Sequence, residues 1–200
     1  MVEVIAHFGT GLGLAAGAGL NAYAVLLVYG GIARLFPEDF PGAIARFLSE
    51  PATLSVLLAL YVLEFFADKI PGLDHVWDIV HTVVRPVAGA LLAVAAVAPG
   101  AETSMTILAG GGGGVIALAA HLVKGTVRLT STALTAGVAN LALSLAEDVL
   151  AVLQAIVSVF LPLVALVLAV AVGGLFLLCV PKLAKGVNLF TSRRRPRAAP

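Results

Sequence analysis

The sequence predicts an all-α integral membrane protein of about six transmembrane segments. Three observations carry that expectation. Hydrophobic side chains make up 60% of the 200 residues and charged ones only 12%, about half the roughly 25% found in soluble chains. Mean hydropathy is +1.08. The apolar residues also fall into runs near the roughly 20 residues a helix needs to cross a bilayer, parted by stretches rich in Pro, Gly and charge. A net charge of +1 gives no field to gather nucleic acid, and the single cysteine, Cys179, forms neither an internal disulfide nor a thiolate metal cage.

The first run, Phe8 to Leu35, is too long and glycine-rich for a cleaved leader. Residues 36–49, with Pro37, Pro41 and several charges, read as a loop. Pro51–Ala67 is a second, short segment, and Asp68–Gly72 is a turn. A polar helical stretch, Leu73–Arg85, continues into the apolar run Pro86–Ala98, closed by Pro99-Gly100. Met105–Val123 is the fourth segment, ending at Lys124-Gly125. Thr130–Ala146 is the fifth, ending at Glu147-Asp148, and Val149–Val180 is the sixth. Residues 1–190 thus form one transmembrane domain, and 191–200, with the Arg193–Arg197 cluster, a basic, disordered tail. Six segments return both termini to one side. Lys69, Lys124, Arg128 and the tail then face Arg34 and Arg46 across the membrane, which places both ends in the cytoplasm of a multi-pass inner-membrane protein.

Two stretches look alike. Residues 63–68, then Thr82–Ala88 with Pro86, match residues 145–148, then Ser158–Val164 with Pro162. Repeat halves over 8–100 and 105–180, with three segments each, would insert in opposite orientations. Inverted repeats with interrupted helices are the plan of many secondary transporters.

Charge within apolar sequence is expensive and faces protein interior or water. Glu64 and Asp68 are four apart and share a helix face. Asp74, Asp78, His81 and Arg85 form one stripe after the Pro71-Gly72 break. As a pathway, these acids would bind a cation or proton, with His81 and Arg85 tuning them. As a juxtamembrane helix, they would lie solvated at the headgroups beside Trp77. Glu147 and Asp148 are either an outer turn or the counterpart of Glu64 and Asp68 reaching the same cavity. Gly9, Gly13 and Gly17, continued by Asn21, form a small-residue stripe suited to helix packing or a homo-oligomer contact. The run Gly110–Gly114 reads as a hinge, an unwound stretch or a close crossing.

No catalytic or phosphate-binding motif is present, and of the four histidines only His75 and His81 lie near the acids in sequence. No cofactor is expected beyond a divalent cation held by the carboxylates; the partner is the lipid bilayer. The expected function is a small transporter or channel for a cation or a proton-coupled solute. The rival reading is a non-transporting scaffold or lipid-interacting protein; an intramembrane lipid-acting metalloenzyme is more remote.

Gly19–Tyr23, the stretch Leu63–Asp74, Trp77-Asp78, His81-Thr82, Arg85-Pro86 and Asn140–Asp148 together resemble a bacterial family of small polytopic membrane proteins known as a domain of unknown function. The resemblance covers about Gly11 to Val170 and implies a membrane protein without supplying a substrate. Members carry an Asn-x-Ser-Pro-Glu-Pro stretch where this chain has Thr130–Gly137, without the prolines or the glutamate.

Overall fold

The computed structural model describes residues 2–70, 73–97 and 100–193; the side chains of Val2, Asp74, His75 and residues 179–193 lie outside the description. The Pro71-Gly72 break, Ala98-Pro99 and the arginines beyond Arg193 therefore fall outside the described residues. The described chain is all-helical: α1 (Val2–Leu20), α2 (Ala22–Leu35), a 3-10 turn (Pro37–Asp39), α3 (Ala43–Ser49), α4 (Pro51–Ala67), α5 (Leu73–Ala95), α6 (Thr103–Thr135), α7 (Asn140–Phe160) and α8 (Pro162–Arg193). Among the described residues three helices are long and apolar enough to cross a membrane: residues 76–95 of α5, all of α6 and all of α7. The pair α3 and α4, bent by 69°, would make a fourth.

The outside of the bundle is apolar and part of its inside is charged. Leu108, Val115, Val149 and Val167 are exposed, whereas Glu64, Arg85, Lys124 and Arg128 are buried. A water-soluble domain shows the reverse, and a lipid-facing sheath around a polar interior is what a bilayer selects.

Several segment boundaries differ from the sequence expectation. The run Phe8–Leu35 is broken at Asn21, whose backbone is extended (φ −148°) and whose side chain caps α2 by accepting from Ala24 N. Asparagine does this because its short amide competes with helical hydrogen bonds. Residues 36–49 hold the 3-10 turn and α3. No break occurs at Lys124-Gly125; the chain stays helical to Thr135 and turns where Ala136 (φ 52°) and Gly137 (φ 86°) adopt left-handed conformations. Glu147 and Asp148 consequently lie inside α7 rather than at a turn. The break falls at Leu161, and Pro162 opens α8, where a missing N–H costs nothing. Pro86, its counterpart in the sequence alignment, is interior to α5.

The helices alternate in direction. Helix α2 leads back beside the start of α1: Tyr29 Oη donates to Ala95 O at 3.3 Å, next to Ala96 O, which His7 Nδ1 approaches at 2.8 Å. Helices α5 and α6 are antiparallel, with Gly89 against Gly113 and Arg85 against His121. Helix α8 runs with α1, since Gly9 meets Pro162 and Gly13 meets Ala165. The beginning of α1 and the far end of α8 therefore lie at opposite ends of the bundle, unlike the even-numbered arrangement expected from sequence.

Glycine sets the closest approaches. A Cβ on Gly113 would strike Ala93 and the Gly89 carbonyl, so Gly110–Gly114 is continuous helix at a crossing point. Gly9, Gly13 and Gly17 are spent inside the chain, against Pro162, Ser158 with Ala165, and Gln154.

Candidate functional site

At the end where α1 gives way to α2, charged side chains from four helices meet. Helix α4 supplies Glu64 and Asp68 from its last turn and C-cap, and α5 supplies Asp78, His81 and Arg85. Helix α6 supplies His121, Lys124 and Arg128, and α7 supplies Ser144, Glu147 and Asp148. Spacings of three and four residues put each set on one helical face.

Arg85 is wholly buried. Its Nη2 donates to Glu64 Oε1 at 2.8 Å, and Nη1 to Gly19 O at 3.3 Å and His121 Nδ1 at 2.6 Å. Gly19 O is available because α1 ends at Leu20 and the last carbonyls of a helix lack intrahelical partners. Lys124 Nζ uses the same feature, donating to Leu20 O at 3.0 Å, and also reaches Asp68 Oδ2 at 3.1 Å and Glu147 Oε2 at 3.2 Å. Arg128 Nη2 bonds Asp68 Oδ2 at 2.8 Å and Glu147 Oε2 at 2.5 Å. Lys69 Nζ pairs with Asp148 Oδ2 at 3.1 Å, reaches Ser144 Oγ at 3.2 Å and sits over the Phe65 ring. Asn21 Nδ2 donates to the other Asp148 oxygen at 2.9 Å, tying the α1–α2 break to α7.

The hydrogen bonds fix the ring protons. His121 Nδ1 accepts from Arg85, so its hydrogen is on Nε2, 3.1 Å from Thr82 Oγ1, which donates onward to Asp78 O. His81 Nδ1 lies 2.9 Å from Trp77 O and carries its hydrogen there. Its Nε2 faces Glu64 Oε1 at 3.6 Å without a hydrogen bond, and Glu64 Oε2 also lacks a partner among the described residues. Asp68 Oδ1, Asp78 Oδ1, Arg85 Nε and Arg128 Nη1 are buried and unpartnered in the same sense. Asp78, whose side chain is 21% exposed, is the wettest of these acids.

Of the residues singled out from sequence, Glu64, Asp68, Asp78, His81, Arg85, Glu147 and Asp148 come together here. The Asp74 side chain lies outside the described residues. Asn21 enters through its amide rather than as a fourth member of the glycine stripe. Sequence reasoning missed the cations. Lys124 and Arg128, taken as inner-loop charges, are buried partners of Asp68 and Glu147, which removes them from the count that oriented the chain. His121, 39 residues from Thr82, also belongs to the cluster. The spacing 121, 124, 128 in an apolar run is the same one-face signal that singled out the acids.

Among the described residues no group of three or more His, Cys, Asp or Glu is placed to hold a metal ion. Asp68 and Glu147 share Lys124 and Arg128, while Glu64 turns to Arg85 and Asp148 to Lys69. Among the described residues the arrangement is one of ion pairs.

A family model described as Domain of unknown function (DUF4126) matches residues 8–182. The chain belongs to that family. The match takes in every residue of the DUF4126 charge cluster described above, from Asn21 to Asp148. No curated protein and no solved structure matches the chain.

Proposed function

We propose that the chain is a small transporter of the bacterial inner membrane, coupling the movement of a solute to a proton carried by the Glu64–His81 pair. The observation that carries this reading is the bare face between His81 Nε2 and Glu64, 3.6 Å apart, in a pocket where both side chains are wholly buried. With Nδ1 committed to Trp77 O, a neutral His81 points a lone pair at a carboxylate. A proton on either group turns that repulsion into a hydrogen bond. Charge balance points the same way. Among the described members, Glu64, Asp68, Asp78, Glu147 and Asp148 face Lys69, Arg85, Lys124 and Arg128, which leaves one negative charge in excess. An uncompensated charge in a low-dielectric interior is costly, and a single proton neutralises it.

The proton is favoured over a metal cation because a metal would have to displace the basic partners. Loading it on Glu64 weakens the hold on Arg85, whose Nη1 already lies 3.7 Å from Asp78 Oδ1. Exchange of Arg85 between these acids would open and close the site towards Asp78. Counted along α5 at about 1.5 Å per residue, Arg85 is about 15 Å and Asp78 about 26 Å from the Ala95 end, both within a core of about 30 Å. The multiple pairs made by Lys124 and Arg128 favour the second reading, a scaffold whose charges only lock helices together. The inverted-repeat plan is not needed for either.

Protein reconstituted on a solid-supported membrane and given a pH jump separates them. The expected result is a transient charge displacement that falls more than tenfold in Glu64→Gln. A folded wild-type protein giving no displacement would overturn the transporter reading.

A further inference from the structure

At the other end of the bundle is a cavity of about 370 Å³ whose walls include His7, Thr10, Tyr29, Phe36, Asp39 and Phe40. We infer that it binds an organic ammonium group, from a free amine or a lipid headgroup. This stands independently of the proton reading, because it shares no residue with the charge cluster.

Apart from His7, the side-chain charge on the described walls has one sign. Asp39 supplies a carboxylate, and among the described residues no Lys or Arg lines the cavity. The nearest arginine in sequence, Arg34, donates instead to Ser49 O at 3.2 Å. Among the described residues no ion pair engages Asp39. The last turns of α2 and α5 also reach the cavity through Ile32 and Ala95. Helix C-termini carry partial negative charge; the end of α7 adds little, because α8 begins beside it. Two carbonyls at the α5 end are already capped by Tyr29 and His7, so the cavity is held in shape by its own polar groups.

The chemistry of the walls narrows the cation. Phe36 is exposed, and Phe40 stands edge-on to Tyr29 at 5.5 Å. Aromatic faces beside a carboxylate favour an organic ammonium, primary or quaternary, over a small inorganic ion. The volume lies within the range of small-ligand sites. An apolar crevice of about 80 Å³, lined by Phe8, Leu12 and Met105, shares His7 and Val97 with the cavity. It would lodge the start of a hydrocarbon chain if the ammonium belongs to a lipid.

The test uses choline chloride against sodium chloride by calorimetry on the full-length protein in detergent. Lipid retention is measured in parallel by native mass spectrometry from nanodiscs of phosphatidylethanolamine and phosphatidylglycerol. Saturable choline binding weakened at least tenfold by Asp39→Asn assigns a free-amine site. Retention of phosphatidylethanolamine over phosphatidylglycerol, lost in Asp39→Asn, assigns a headgroup site. Asp39 and Phe36 are exposed, so Asp39→Asn and Phe36→Leu should fold normally; Phe36→Leu should weaken the same signal severalfold. No choline binding together with no lipid preference, or signals unchanged in both variants, would overturn the inference.

Discussion

Helix α1 meets its neighbours in two ways along its length. Between Gly9 and Gly17 it presents bare backbone to α7 and α8, and Gly11 to Ala93 of α5, with no charge in the contact. At Gly19–Asn21 the same helix ends among Arg85, Lys124 and Asp148. Both solve one problem. Lipid is as apolar as leucine, so helices in a bilayer are held by close van der Waals contact or by paired polar groups. The glycine seam is close-packed and carries no charged side chain. The charge cluster has spare donors and acceptors, and hence more than one way to pair. The seam fixes how the helices pack, and the cluster keeps charges that can re-pair.

The largest effect should come from unbalancing the cluster. Arg85→Met leaves Glu64 buried without its cation, at a cost of about 3–5 kcal/mol; a thermal-melt series in detergent should show the loss, and adding Glu64→Gln should recover most of it. A smaller but still severe effect is expected where α6 crosses α5. Gly113→Val forces side-chain atoms into Ala93 and the Gly89 carbonyl, costing about 1–3 kcal/mol by overpacking. Lys69, at the cluster edge with 13% side-chain exposure, contributes less. Lys69→Met should cost about 1 kcal/mol, and a double-mutant cycle with Asp148→Asn should show that they act together. The smallest effect has the opposite sign. Gly111 has nothing within 4 Å, so Gly111→Ala should stabilise α6 by up to about 1 kcal/mol, read as a small rise in melting temperature. If Gly111→Ala and Gly113→Val behaved alike, the distinction between the α5–α6 crossing and the open face of α6 would fail.

The helical class and the gathering of the acids were legible because both are periodic: apolar runs have a length, and Glu64/Asp68 and Asp78/His81/Arg85 have a spacing. Boundaries were less so. Asn21 breaks the first run through a side-chain cap, which composition does not reveal, and α6 runs through Gly125 because one glycine costs a helix only about 1 kcal/mol. The cations were missed for a physical reason. Lys124 and Arg128 pair across 56 and 60 residues of sequence with Asp68, so the local spacing with His121 marks a shared face but names no partner for it. The cavity at Asp39 depends on chain reversal at Asn21 and was not visible at all.

The claim that the cluster is more than a set of locks rests on a proton at the Glu64–His81 face. Infrared difference spectroscopy of the protein in lipid, between high and low pH, observes that proton directly. The expected result is a protonation signal of a carboxyl or imidazole group in a dry environment that disappears in both Glu64→Gln and His81→Gln. A spectrum with no such signal, or one unchanged in both variants, would mean that the acids stay ionised throughout and would contradict a proton-carrying role.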